Sequence, residues 1–486
     1  MRFLLALSVC LPAFSAAAAE RPNILLITVD DMNWDSVGIY GCPIRNITPN
    51  IDRLAGEGLR FEHAHVTIAI CQPTRAVWMT GRYPHNSGAL GFNPIRPGVP
   101  TLVERLREAG YQTGLMAKHG HVVPTRKAAW HEIVPAKELK NGRSPQHYYR
   151  RAKAFLESAA QAQRPFFLMA NAQDPHRPFA GSVQEENAAK RDGQNKSHQY
   201  GGGFPDAMRL IRPQTAVVPG FLPDLPDVRQ ELGQYFTSVY RADQVTGAVL
   251  RALDESGQRD RTLVMFLSDH GMPLPFAKTN VWRNSTRTPW IIRWPGVVKP
   301  GSHDRTHLVS GIDLCPTILD AIGIHPLDGT DGKSFLNVLQ GEVDTSRSDV
   351  FTHINTIASR RDFSMRSVQN ARYGYIYNAW ADGETRFKNE SQSGLTFKAM
   401  AEAAKTNSAI AARVRHFVLR SREEFYDYER DPDALRNLIR DPQHADRIRE
   451  FRKLMQTRMQ ESKDPKLGQF EKQVLAPPRF GQLGGA

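Results

Sequence analysis

Cysteine is scarce: four residues in 486, with no Cys-x-x-Cys pair anywhere. That excludes a disulfide-stapled scaffold, a zinc ribbon and a thioredoxin-like redox motif. Long apolar runs are missing as well. Past the first twenty residues nothing approaches the roughly 18 apolar residues of a membrane-spanning helix, so no membrane anchor is expected. Internal repeats are absent. The run Gly201-Gly202-Gly203 is not followed by the Gly-Lys-Ser/Thr of a phosphate loop. No nucleic-acid-binding module is recognisable either, although the chain is basic, with 63 Lys and Arg against 50 Asp and Glu and a net charge of +13. Such a balance concentrates polyanions near the surface; without a nucleic-acid module, an acidic saccharide fits it better.

The first residues, MRFLLALSVCLPAFSAAAAE, carry Arg2, an apolar stretch from Phe3 to Phe14 and an Ala-x-Ala exit at Ala17 and Ala19. This is the pattern of a cleavable signal peptide over residues 1–19. Cys10 would leave with it, and Cys42, Cys71 and Cys315 would remain. Export to a bacterial periplasm is expected, with a eukaryotic secretory lumen as the second choice. The length suggests two or three structural units.

One pentapeptide stands apart. In Cys71-Gln72-Pro73-Thr74-Arg75, Pro73 suits the first turn of a helix, where its missing N–H costs nothing. Cys71 would then lie at the helix N-terminus, where backbone N–H groups favour negative charge, and Arg75 would share its face. That describes a nucleophile facing an anion site; a buried structural thiol is the plainer alternative.

Three apolar, β-branched runs end in polar groups. Asn23 to Val29 leads into Asp30-Asp31, Thr262 to Leu267 into Ser268-Asp269-His270-Gly271, and Pro165 to Ala170 toward Gln173-Asp174-Pro175-His176-Arg177. Runs of this kind are buried strands of a parallel sheet, and ligand sites gather at their carboxyl ends. Adjacent carboxylates repel unless a cation or solvent separates them. Oxygen donors of this type suit Ca²⁺ or Mg²⁺.

Helices are expected from Thr48 (as cap) and Pro49, over Thr101 to Ala109, from Ser144-Pro145 to about Ala162, over Asp227 to Glu255, and over Val309 to Ile322 with Pro316 near its middle. Gly181 to Pro226 is polar and aperiodic, too long for a simple connector, and reads as either a substrate loop or a mobile segment.

Cys-x-Pro-x-Arg with its continuation Thr80-Gly81-Arg82-Tyr83-Pro84-His85, and the opening RPNILLITVDD, resemble the sulfatase family. The motifs extend from about residue 22 to 440. The resemblance implies an α/β fold: a large, mostly parallel sheet flanked by helices, alkaline-phosphatase-like, over residues 20–345. A smaller C-terminal α+β subdomain would follow over 346–463, with a loosely held tail at 464–486. It also implies that Cys71 is oxidised to formylglycine (3-oxoalanine) by a formylglycine-generating or anaerobic sulfatase-maturating enzyme. One Ca²⁺ would be held by four protein ligands, Asp30, Asp31, Asp269 and His270, together with the side chain formed from Cys71.

In the same family a lysine and a histidine hold the sulfate and the formylglycine. Here they would be Lys118 and His121, chosen over His119 because Val122-Val123-Pro124 follows. Arg75 would steady the nucleophile, Lys278 would take a second sulfate oxygen, and His176 would protonate the leaving group. Arg177 would contact substrate anions, and Asp174 would orient His176 or meet a sugar hydroxyl of the substrate. A homodimer is compatible with the resemblance.

The chain departs from the usual pattern at Thr74 (commonly Ser), at His270 (Asn in many members), and in a Lys-to-His spacing one residue longer than usual. Asp-Pro-His-Arg at 174–177 and the stretch around Lys278 resemble the heparan N-sulfatase (sulfamidase) branch, which has Arg where Lys278 stands. The implied substrate is the N-sulfate of glucosamine in heparan-type glycans. O-sulfated polysaccharides, phosphonate or phosphodiester substrates, and a non-catalytic lectin-like binder with an unmodified thiol are the alternatives.

Overall fold

A computed structural model describes residues 21–122, 126–192 and 202–476. The expected signal peptide lies outside the described residues, as do Val123-Pro124 and the end of the chain from 477.

Eight strands form the larger sheet: β1 (Asn23–Val29), β2 (Leu59–His65), β3 (Gln112–Met116), β4 (Glu132–Val134), β5 (Phe166–Ala172), β6 (Thr262–Ser268), β7 (Trp290–Arg293) and β8 (Ser302–Ser310). Their order is β4-β3-β5-β1-β6-β7-β2-β8. Only β7 runs antiparallel to its neighbours. Every residue of β1, β5 and β6 is buried, as continuous apolar runs predict for strands covered on both faces.

Alternation assigns the faces. Leu25, Ile27 and Val29 pack into one hydrophobic cluster with residues of the helices Pro145–Gln161 and Pro226–Glu255. Ile24 and Leu26 pack into the other, with the helices Cys71–Thr80, Leu102–Glu108 and Leu314–Ala321. Register brings the strand ends level: Val29 pairs with Ala172 on one side and Ser268 on the other. Asp30, Gln173 and Asp269 therefore leave the sheet together.

A second, antiparallel sheet comprises β9 (Val350–Thr356), β10 (Asp362–Gln369), β11 (Tyr373–Asn378) and β12 (Glu423–Asp427), in the order β12-β11-β10-β9. The helix Ala445–Glu461 lays Ile448, Phe451, Met455 and Met459 on it, a helical spacing of apolar residues. The His353 N–H donates to the Thr67 carbonyl at 2.7 Å, so this sheet abuts the strand that leads into Cys71.

Four local expectations change. Val309 and Ser310 end strand β8, paired with Ala64 and His65, and the helix begins only at Leu314. Pro316 thus sits in a first turn, where no hydrogen bond is lost. Thr48 does not cap the helix Pro49–Gly56. Instead the Asp243 carboxylate accepts from the Asn50 and Ile51 N–H groups, both at 2.9 Å, supplying the cap from a distant helix.

The aperiodic stretch after Gly181 contains a helix, Val183–Asp192, whose start is marked by Ser182 accepting from Glu185 N–H at 3.1 Å and Glu185 accepting from Gly181 N–H at 2.9 Å. Beyond Ser462, the chain is held as far as residue 476: Asp464 is buried against Arg366, and Phe470 packs on Tyr377.

Candidate active site

Cys71 opens the helix Cys71–Thr80, all ten residues of which are buried. Ile70 is extended, the first helical bond runs from Thr74 N–H to Ile70 C=O at 3.0 Å, and Gly81 ends the helix at φ +63°, a conformation that suits glycine. Arg75, one turn on, is fully buried and donates to Asp30 Oδ1; its Nη2 also lies 3.5 Å from Asp269 Oδ2. Cys71 itself is 5% exposed.

Around it stand three fully buried carboxylates and three cations. Asp30 pairs with Arg75 and Lys118, and Asp31 with Lys278 at 2.8 Å. The Asp31 N–H donates to Asp269 Oδ1 at 2.9 Å, pinning the ends of β1 and β6 to each other. Lys278 also reaches Glu390, again at 2.8 Å.

Three of the expected metal ligands converge. Asp31 Oδ1, Asp269 Oδ2 and His270 Nε2 are buried without a hydrogen-bond partner, and this trio places one ligand atom each within 4.8 Å of the others. The His270 Nδ1–H donates to the Gly271 carbonyl at 3.0 Å, which leaves Nε2 to ligate. Unpartnered buried oxygens beside such a nitrogen are costly without a cation. Two carboxylates and a neutral imidazole therefore fit a divalent ion. Asp30, the fourth expected ligand, instead spends its oxygens on Arg75 and Lys118.

The electrostatics follow from burial and neighbours. Burial opposes the charge on Asp30, but Lys118 and Arg75 outweigh it and hold its carboxyl far below the usual range. Burial raises Asp269, and the charges of Asp30 and Asp31 add to the rise. Burial works against a charged His270, yet Asp269 and Asp31 push it up to about 9. His121 goes the other way: burial first, then Lys118, bring it down to about 3. Lys118, Asp30, Arg75 and Asp269 act on His121, whereas His119 feels Lys127 and His121.

His176 donates from Nδ1 to the Arg177 carbonyl at 2.6 Å, and its Nε2 lies 4.0 Å from both Asp31 Oδ2 and Glu390 Oε1. Its neighbours in sequence turn inward, in contrast to the substrate contacts expected of them. Asp174 is fully buried and accepts from Arg143 and from Arg241, with Arg143 Nε at 3.0 Å and Arg241 Nε at 2.5 Å. Arg177 pairs with Glu231 at 3.0 Å and donates to the Pro273 carbonyl at 3.0 Å. Both brace the loop that carries His176, and their charge is spent on protein partners.

A cavity of ≈590 Å³ opens onto Cys71 and is also lined by Phe92, Lys278, Ile357, Arg361, Lys388 and Glu390. Sequence reasoning missed Arg361, Lys388 and Glu390. The one local signal is the capping box of Asn389 and Gln392 around the short turn Glu390–Ser393, which marks a turn but no chemistry.

Carboxylates able to hold a divalent ion, a cysteine at a helix N-terminus and basic side chains around it are an arrangement that suits hydrolysis of a tetrahedral anion. The sulfatase family model matches residues 22–324, and the model of the N-sulphoglucosamine sulphohydrolase C-terminal region matches residues 269–384. The chain belongs to the sulfatase family, hydrolases of sulfate esters and sulfamates.

Human N-sulphoglucosamine sulphohydrolase is 29% identical over 472 residues, covering 92% of this chain and 91% of that protein. An ulvan-active sulfatase from Formosa agariphila is 26% identical, covering 89% and 74%. A protein solved with its substrate, D-glucosamine-2-N,6-O-disulfate, superposes with a TM-score of 0.67 at 19% identity, covering 92% of this chain and 99% of that one. Among the described residues no helix is long and apolar enough to cross a membrane.

Proposed function

We propose that this protein is an exported sulfatase that removes the N-sulfate of glucosamine from heparan-type glycans. The supporting observation is the match of residues 269–384 to the C-terminal region of N-sulphoglucosamine sulphohydrolases. That span includes Asp269, His270 and Lys278 and reaches into the second sheet.

Position 71 is proposed to carry formylglycine, which supplies two hydroxyls on one carbon, one to attack sulfur and one to expel sulfate. A Ca²⁺ held by Asp31, Asp269 and His270, with Asp30 alongside, would supply charge neutralisation for the sulfate. Arg75 and Lys118 fix Asp30 and bring positive charge beside position 71. Lys278, at the cavity wall, is placed to take a sulfate oxygen. His176 Nε2 would face the leaving atom as its proton donor; burial holds its pKa below the ordinary histidine value, so the charged ring gives up its proton readily. His121, kept neutral, is a proton acceptor. The maturating enzyme must reach Cys71 before the chain folds, because the whole helix is buried.

Mass spectrometry of the tryptic peptide ending at Arg75 tests the modification, since formylglycine is about 18 Da lighter than cysteine by atom counting. Sulfate release from glucosamine N-sulfate, with little from glucosamine 6-sulfate, is the expected substrate result. Release from O-sulfated ulvan fragments in preference would favour the second reading, an O-sulfatase, which the ulvan-active relative supports. Phosphodiester turnover with no sulfate release from either would overturn both.

A further inference from the structure

Glu390 has no place in the machinery described so far. It comes from the turn Glu390–Ser393 after the second sheet's β11 and stands at the cavity wall, with its Oε2 2.8 Å from Lys278 Nζ and its Oε1 4.0 Å from His176 Nε2. Its side chain is 39% exposed. Burial disfavours its charge, but Lys278 and His176 hold its carboxyl below the usual range. A carboxylate at the mouth of a site for polyanions repels the substrate's other sulfates, so it needs a reason to be there.

The reaction supplies one. Cleaving a sulfamate breaks the S–N bond with the electron pair going to nitrogen: R–NH–SO₃⁻ and water give R–NH₃⁺ and SO₄²⁻. The leaving nitrogen is neutral in the substrate and cationic in the product. Cleaving a sulfate ester leaves a neutral hydroxyl and releases the proton. An anion beside the leaving atom therefore gains attraction along the path for nitrogen and none for oxygen, which is the differential binding that accelerates one reaction over the other.

A nitrogen taking its proton from His176 Nε2 lies about 3 Å from it, within reach of the Glu390 carboxylate. Resting on the N-sulfate reading, we infer that Glu390 is the residue that discriminates N-sulfate from O-sulfate, by stabilising the ammonium that forms as the S–N bond breaks.

The test compares the full-length protein with Glu390→Gln, which keeps the shape and removes the charge. On glucosamine N-sulfate, kcat is expected to fall on the order of 10- to 100-fold, while hydrolysis of glucosamine 6-sulfate stays within about twofold. Inhibition by glucosamine should weaken, and inhibition by N-acetylglucosamine, which has no ammonium, should not. Glu390→Asp should recover part of the loss.

An equal fall on both substrates would show that Glu390 only sets Lys278, and would overturn the inference. So would an unchanged N- to O-sulfate ratio with unchanged glucosamine inhibition. If the wild-type protein releases no N-sulfate, it is the substrate reading that fails, and the wild type alone reports that.

Discussion

Two buried clusters of charge lie at opposite ends of the Lys278–Trp282 segment, and they are built on different principles. At Glu424 both carboxylate oxygens are fully served: Asn378 and Arg420 donate to Oε1 at 2.9 and 2.8 Å, Trp282 and Tyr426 to Oε2 at 2.9 and 2.7 Å. At the strand ends of the larger sheet, Asp31, Asp269 and His270 each bury a polar atom with no partner. In the first cluster the carboxylate is fully served by protein donors, and it locks the second sheet to the Trp282 segment. The second holds three carboxylates close enough to raise Asp269 and drive His270 up to about 9. Unsatisfied, mutually opposed groups destabilise a fold, and they are where ligands are bound.

The largest effect expected at the second cluster is on activity. Cys71→Ala should lower sulfate release by at least about a thousandfold while leaving the near-ultraviolet circular dichroism unchanged. A variant that kept its turnover would dissolve the distinction between the two clusters.

Stability should respond in the opposite way. Glu424→Ala leaves the buried Arg420 without its carboxylate and should cost about 3–5 kcal/mol in denaturant unfolding. Asp269→Asn, measured on chelated protein, should be neutral or stabilising by about 1 kcal/mol, because it relieves repulsion among buried carboxylates. Comparable losses in both variants would mean that the strand-end carboxylates are structural after all.

Calcium sharpens the contrast further. At a hundredfold excess over its dissociation constant the ion should add about 2.7 kcal/mol of stability, removable by chelation. Asp269→Asn should lose that increment, and Glu424→Gln should keep it.

The smallest effect is on acid stability. Burial opposes a charged Glu424, but Arg420 and His416 hold its carboxyl below the usual range. A depressed acid contributes stability fully above its unfolded pKa of about 4.3 and loses it as pH falls below that value. Glu424→Gln should flatten the fall in melting temperature below pH 4 or so, and an unaltered slope would deny the cluster its role there.

Much of the site could be read along the chain because it sits where the chain changes character. Apolar runs had to be strands of a sheet covered on both faces, and the polar pairs Asp30-Asp31 and Asp269-His270 had to follow them at the same edge. Pro73 and Gly81 bracket the helix that begins at Cys71. The inward partners of Asp174 and Arg177 could not be read because sequence gives a residue's position at a strand end and not what it touches; Arg143, Arg241 and Glu231 come from other helices and loops. The strand through Val309 was hidden for a similar reason, since pairing with β2 overrode its local pattern.

By itself the amino-acid order determined the buried strands, the polar groups at their ends and the helix that begins at Cys71, because strand ends and proline in a first turn are local facts with local physics, while the class of the protein came from the resemblance of its motifs to a family. Only the tertiary structure decided which of the four expected ligands converge, which way Asp174 faces, and that Glu390 comes to stand beside His176. Those depend on strand register and on segments more than two hundred residues apart meeting at one point, and a side chain's charge is fixed by what it finally touches.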